Sequence, residues 1–351
     1  MLTIHNPLHH LHQGRHEMFR GRLVPCHETA ARLDHVLGEL KQRGSGPLQQ
    51  PALPNGELEA ALARIHSPRY LNFIEHAWEE WVALDPANAA QDALPSVWPA
   101  PGMRFDVLPD NFSARMGLFS FDAGTPLTAG SWAAARAGAA CAIGAARAVS
   151  AGGVQSAFAL SRPPGHHAGA DFFGGYCFLN NAALAAQALR DSGAARVAVL
   201  DVDYHHGNGT QAIFYARSDV LTVSIHGDPR TEYPFFLGHA DERGADAGEG
   251  FNLNLPLPRG TGFERWRAAL ATALETIRNF GAQALVVSLG VDTFEGDPIS
   301  GFKLRSADYL QVGRDIAALS LPTVFVFEGG YAVAEVGINT VNVLEGFEQR
   351  R

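Results

Sequence analysis

From residue 157 onward the chain repeats one pattern that few folds accept. Short, almost wholly apolar runs, AFAL (157–160), VAVLDV (197–202), VLTVSI (220–225), ALVVSLGV (284–291) and TVFVFE (323–328), each break into polar, glycine-rich sequence. Runs this short that lack a polar face are expected of strands buried on both sides, as in parallel sheets with crossover helices. Helix-length stretches lie between them at 180–193 and 264–281 and just before them at 131–151, and two amphipathic stretches come earlier at 28–44 and 67–84. In the alanine-rich stretch, Ser131 is the expected N-cap and Gly152 the stop, while Arg136 and Arg147 argue against a membrane span. The fold class that follows is α/β, and polar strand ends of such sheets gather at one rim where ligands bind.

Composition narrows the partners. With 351 residues, 46% of them hydrophobic, the chain can bury a large core, and length alone leaves one or two domains open. No repeat and no linker divides the second half. A formal net charge of -9 argues against nucleic acid and favours a cationic partner. Cys26, Cys141 and Cys177 lie far apart, which fits a reducing compartment and excludes a CxxC zinc site. The absence of an apolar leader or of an apolar run long enough to span a bilayer sets the expectation of a cytoplasmic protein with no membrane partner. Residues 85–112 are proline-rich and aperiodic, and Trp98, Phe105 and Phe112 mark them as a packed lid or interface. The histidine-rich start (His5, His9, His10, His12, His16) has no spacing that fixes a geometry and reads as solvated or interface histidines.

The chemistry lies in the strand ends. With a two-residue side-chain period, Asp201, Asp203 and His205 take one face and Val202 and Tyr204 the other. Adjacent buried carboxylates repel unless a cation joins them, and a divalent metal is the simplest remedy. Other strand ends add the pair His166–His167, then Asp292 and Asp297, and Tyr331 after a diglycine. A lone histidine pair or a GNG turn is usually structural; the joint occurrence at successive strand ends is what points to a site. No HExxH, GxSxG, GxxxxGK[ST] or strand-following GxGxxG occurs, and SGFK (300–303) lacks the motifs that would accompany S-x-x-K.

RPPGHHA, DVDYHHGNGT, SLGVDTFEGDP and EGGY, in that order, resemble the histone deacetylase and acetylpolyamine amidohydrolase family, nearest to its bacterial acetylpolyamine branch, with weaker similarity in RLVPCHETAARL and IHSPRYLNFIEHAWEEW. The resemblance implies a single three-layer α/β/α domain over 1–351 with a mainly parallel sheet. It implies one Zn2+ on Asp203, His205 and Asp292, with Gly207 standing where a second metal site would need an aspartate. It makes His167 the general base and acid, His166 its electrostatic neighbour oriented by Asp201, Asn208 the partner of His167, and Tyr331 the oxyanion donor. A structural K+ would sit on Asp201, Ser224 and Ile225 with the backbone of Asp203 and His205, and a second on the carbonyls of Phe214, Arg217 and Val220. Tyr176 and Tyr233 would wall the channel, with Ile299 near its mouth and Gly329 and Gly330 beside the substrate.

The implied activity is hydrolysis of the acyl amide of N-acetylated small amines, acetylpolyamines first, releasing acetate. A broader amidohydrolase acting on acetyl-lysine peptides or xenobiotic amides stands beside it. An inactive metal-binding scaffold would require the loss of His167, Tyr331 or a ligand, and none is lost. Segment 85–118 resembles the insertion through which the acetylpolyamine branch forms a homodimer and narrows its entrance. Aligned by eye, two glutamates of that branch fall on Ser113 and Gly124, and Asp106, Asp110 and Asp122 are the acids placed to compensate.

Overall fold

The computed structural model describes residues 1–54 and 56–349. In chain order its strands are β1 (Leu2–His5), β2 (His16–Phe19), β3 (Arg22–Pro25), β4 (Leu48–Gln49), β5 (Ser156–Leu160), β6 (Val197–Asp201), β7 (Val220–Gly227), β8 (Asn252–Leu257), β9 (Ala284–Leu289) and β10 (Thr323–Phe327). Its α-helices are α1 (Ala31–Arg43), α2 (Glu57–Ile65), α3 (Pro68–Leu84), α4 (Phe112–Leu118), α5 (Ser131–Ser150), α6 (Asn181–Asp191), α7 (Asn208–Phe214), α8 (Phe263–Phe280), α9 (Asp308–Ala317) and α10 (Val333–Glu348). Eight strands form one sheet in the order β4-β1-β5-β10-β9-β6-β7-β8, parallel at every pairing, while β2 and β3 make a separate antiparallel ribbon.

The apolar runs show no polar alternation because each strand feeds two cores. Ala157, Ala159, Val286, Val324 and Val326 face one, packed under α2, α3, α5 and α6. Phe158, Leu160, Leu285, Val287, Phe325 and Phe327 face the other, under α1, α8, α9 and α10. Small residues on α5 (Ala135, Ala139, Ala142, Ala146) let that helix lie close to the sheet, which explains why its sequence is so rich in alanine. The result is helices on both faces of a parallel sheet, with the carboxyl ends of β5, β6, β9 and β10 neighbouring one another at one rim.

The structure departs from the sequence expectations at definite places. The sheet gains β1, β4 and β8, none anticipated: β1 and β4 are short, and the edge strand β8 reads NLNLPL, with asparagine and proline that ordinarily argue against a strand. Ser131 is the first helical residue rather than the cap; the cap is Gly130, and Ser131 Oγ instead accepts the Thr128 N–H at 2.8 Å. Ser67 and Asn180 do cap α3 and α6, accepting from Tyr70 N and Ala183 N. His9 and His12 are buried, not solvated, because the short helix His9–Leu11 packs beneath the start of α5. Of the three aromatic residues expected to pack in 85–112, only Phe112 is buried; Trp98 and Phe105 are 37% and 50% exposed. Among the described residues no helix is long and apolar enough to cross a membrane.

Candidate active site

At Asp201 the chain leaves the sheet, yet the side-chain alternation survives for a local reason. Asp201 Oδ1 accepts the N–H of Asp203 at 3.1 Å, and Asp203 Oδ1 accepts that of His205 at 2.9 Å. Each carboxylate closes a turn on the backbone two residues ahead, so the polar groups stay together while Val202 and Tyr204 enter the core beneath. Past β9, Asp292 ties in from a separate segment: its Oδ1 accepts the Tyr204 N–H at 2.7 Å and its Oδ2 lies 2.9 Å from His205 Nδ1. Asp203 Oδ1 is 3.4 Å from the same nitrogen. Past β10, the Gly329 N–H donates to Asp203 Oδ2 at 2.7 Å, and a Cβ there would stand 2.5 Å from Asp203 Oδ2 and 2.8 Å from Asp292 Oδ2. Glycine at 329 is therefore a requirement of close approach.

These residues fit a divalent ion. One ligand atom from each of Asp203, His205 and Asp292 lies within 4.8 Å of the others, and all three residues are buried. Burial, with the charge of Asp203 adding to it, pushes the Asp292 carboxyl up to about 8, while hydrogen bonds donated to both carboxylates carry His205 up to about 10 against its burial. Asp292 and His205 thus hold protons that a cation would replace, while the neighbouring His166 and His205 outweigh burial and keep the Asp203 carboxyl well below the usual carboxylate range. Two carboxylates and an imidazole suit a borderline ion such as zinc, and three protein ligands leave a fourth position for a reactant.

The histidine pair lies over this cluster. His166 Nδ1 is 2.9 Å from Asp201 Oδ2; burial opposes its charge, but Asp201 and Asp203 outweigh it and raise His166 to about 10. His167 Nδ1 is 2.6 Å from Asn208 Oδ1, and burial with the neighbouring His166 and His205 holds it well below the ordinary histidine range. Neighbours in sequence, the two rings are thus driven to opposite charge states, which is how acid and base roles are separated. Glu328 accepts the N–H groups of Gly165 and His166 at 2.6 and 3.2 Å and so fixes the loop that carries the pair.

Above lies a cavity of about 740 Å³ whose lining includes His167, His205, Tyr176, Tyr233, Ile299 and Tyr331. Tyr176 and Tyr331 meet edge to face at 5.5 Å, and Tyr233 stands edge-on to His167 at 5.1 Å. Tyr176 occupies left-handed backbone, φ 68°, held by its N–H to Thr125 Oγ1 (2.9 Å) and its hydroxyl to Glu17 Oε1 (2.8 Å). The Tyr233 hydroxyl donates to Asp122 Oδ2 at 2.6 Å. Tyr331 is oriented by its N–H to Asp297 Oδ2 (2.8 Å) and by the Arg32 guanidinium, 4.7 Å from its ring, whose Nε also donates to Gly330 O at 2.6 Å.

Other expected positions are scattered. Ser224 pairs in register with Asp201 but bonds His226 Nδ1 at 2.8 Å, and Ile225 is in the core beside it. Phe214, Arg217 and Val220 lie at the amino end of β7, away from the rim, with Arg217 N–H donating to Phe214 O at 2.9 Å. Asp106 pairs with Arg104 on the surface, and neither it nor Asp110 lines the cavity, whereas Asp122 and Gly124 do; Ser113 is exposed on α4. Glu17, Glu328 and Arg32 were not singled out from the sequence. For Glu328 the signal was present, an acid closing an apolar run before a diglycine; for Glu17 and Arg32 it was not, since their partners lie 159 and 298 residues away.

Comparison with known proteins adds to this geometry. The histone deacetylase domain matches residues 26–347. The chain is 53% identical to acetylpolyamine amidohydrolase 2 of Pseudomonas aeruginosa and 46% identical to acetylpolyamine amidohydrolase of Mycoplana ramosa, covering 99% of both chains in each case. Its structure matches that of acetylpolyamine aminohydrolase from Burkholderia pseudomallei with a TM-score of 0.93 at 39% identity, over the full length of both.

Proposed function

The chain belongs to the histone deacetylase family, and from that premise we propose that it hydrolyses the acyl amide of N-acetylated small amines, acetylpolyamines above all, releasing acetate. The observation that carries this reading is a metal-fit cluster, Asp203, His205 and Asp292, set with His167 and Tyr331 beneath an aromatic-walled cavity. A zinc ion held by those three residues would supply Lewis-acid polarisation of the acyl carbonyl and a more acidic water.

The protein's own groups then divide the work. His167, neutral and with its Nδ1 engaged by Asn208, takes a proton from water at Nε2 and delivers one to the departing amine. His166, kept cationic by Asp201, adds a positive field behind the reacting carbon. The Tyr331 hydroxyl donates to the oxygen that becomes an oxyanion. Tyr176 and Tyr233 grip the alkyl chain, Ile299 lies near its mouth, and Gly329 and Gly330 leave room at its end. A K+ on Asp201, Ser224 and Ile225 would offset the crowding of carboxylates below, with a second on the carbonyls of Phe214, Arg217 and Val220.

Small cationic amines are favoured because Asp122 and Glu17 line the cavity and are held by the hydroxyls of Tyr233, Thr125 and Tyr176 rather than by cations; burial pushes the Glu17 carboxyl up to about 7, and a cationic amine beside it would favour its ionised form. One observation favours the broader amidohydrolase: Gly124 brings no acid to the cavity wall. Steady-state assays with N-acetylputrescine, N-acetylspermidine, an acetyl-lysine peptide and neutral N-alkylacetamides decide between them. Equal turnover of neutral and cationic amides would defeat the polyamine reading. We take 1–351 as one catalytic domain that works as a cytoplasmic homodimer, with 85–118 at the entrance and interface; its three unpaired cysteines and the exposed Val97, Met103, Phe105, Val107 and Leu108 support this.

A further inference from the structure

The N-terminal histidines form a second cluster of metal-ligating groups, far in sequence from the first. His9 and His10 are adjacent on a short 3-10 helix with ring centroids 3.8 Å apart, and Asp34 rises to meet them from the first turn of α1. His9 Nε2 and His10 Nε2 stand 3.5 and 3.3 Å from the same oxygen, Asp34 Oδ1, and the three ligand atoms all lie within 4.8 Å of one another. Both distances exceed those of ordinary N–H···O bonds, about 2.7–3.2 Å. They match the edge of a tetrahedral ion, since bonds of about 2.0–2.1 Å set neighbouring ligands about 3.3 Å apart.

The His9 ring is 4% exposed and turns its Nε2 toward Asp34, while its Nδ1 is buried without a hydrogen-bond partner, so Nε2 is the nitrogen placed to ligate. Burial, reinforced by His10 and Arg162, holds its pKa down to about 4, so the imidazole is in the neutral form that ligates. His10 and Asp34 are exposed, which opens the cluster to solvent and to ions. From these contacts we infer that His9, His10 and Asp34 form a second, surface-accessible site for a borderline divalent ion of the zinc, cobalt or nickel class, two imidazoles disfavouring magnesium and calcium.

The position indicates what the ion does. It cross-links the short helix to α1, and the main-chain oxygens of His9 and His12 accept from Arg162, next to the loop carrying His166 and His167. Arg162 is also held by Glu28, which bonds Arg32. The site thus braces the outer end of the buried network that orients Tyr331.

The inference is independent of the amide-hydrolase reading. Full-length wild-type, H10A and D34N proteins would be dialysed against buffered micromolar Zn2+ or Co2+ and read by elemental analysis and the cobalt visible spectrum. Wild type is expected to hold one equivalent more than either variant, whose affinity at this site falls by at least about 10–100-fold. Asp203→Asn, which alters the cluster beneath the cavity, keeps the additional equivalent, as does His35→Ala on the exposed side of α1. Equal metal content in wild type, H10A and D34N would overturn the inference, and so would loss of the additional equivalent in Asp203→Asn with its retention in H10A.

Discussion

Two residues in contact, His167 and Asn208, set the most direct test of how the site divides its charges. His167 must be neutral to accept a proton, and burial with its histidine neighbours lowers its pKa below 6.5. Activity is therefore lost on the acid side only below that pH, as the ring protonates. Asn208→Asp places a carboxylate 2.6 Å from Nδ1, favours the charged ring, and moves the acid limb of the kcat/KM profile to higher pH. A limb that stays in place would mean that His167 is not the titrating base. Tyr331→Phe removes one oxyanion donor and nothing else the ring does, since its orientation comes from its backbone N–H and from Arg32. Turnover should fall about 10²–10³-fold with metal content unchanged by elemental analysis; retained turnover would reassign the oxyanion contact.

Among the elements, the stretch before α4 differs most from the rest. Its apolar side chains are turned outward, Met103 at 60% exposed, where those of the sheet and helices are turned in. Exposed apolar residues concentrated in one segment mark an interaction surface. Shortening residues 86–112 should halve the mass seen by light scattering, from dimer to monomer, and change KM for acetylated diamines more than turnover of a small neutral acetamide. A variant that scatters as wild type would remove this segment from the interface. By contrast α3, whose Ser67 cap and buried Tyr70, Phe73 and Ile74 tie it to the core, should be unaffected in the shortened protein, as read by near-ultraviolet circular dichroism.

For the molecule as a whole, buried neutral histidines set the response to acid. His66 is fully enclosed, with Nδ1 2.9 Å from Gly169 O and Nε2 accepting the Asn180 N–H at 3.0 Å; burial lowers it to about 4, and His12 and His226 are lowered similarly. Above pH 6.5 these rings are neutral folded or unfolded and cost nothing. As pH falls from about 6.5 to about 4 the unfolded chain takes up protons that the folded chain refuses, so stability drops through that window. Each such ring contributes on the order of a few kcal/mol. Urea melts at pH 7, 5.5 and 4.5 should show a falling midpoint, and His66→Gln should flatten the fall relative to wild type; an unchanged slope would show that His66 plays no part in it.

Local pattern made much of this legible beforehand. Five strands, the helices at 31–43, 68–84, 131–150, 181–191 and 263–280, and the convergence of Asp203, His205, Asp292 and Tyr331 all follow from short-range periodicity and from where apolar runs end. What the chain alone determined is therefore which segments are buried and which polar groups stand at their ends, because both depend on neighbours a few residues away. Only the tertiary structure decided that NLNLPL is an edge strand, that Glu17 and Asp122 hold the channel tyrosines, and that His9 and His10 meet Asp34. Those pairings join segments with no shared local signal, and the physical reason is that packing, not propensity, selects which of many possible partners a side chain reaches.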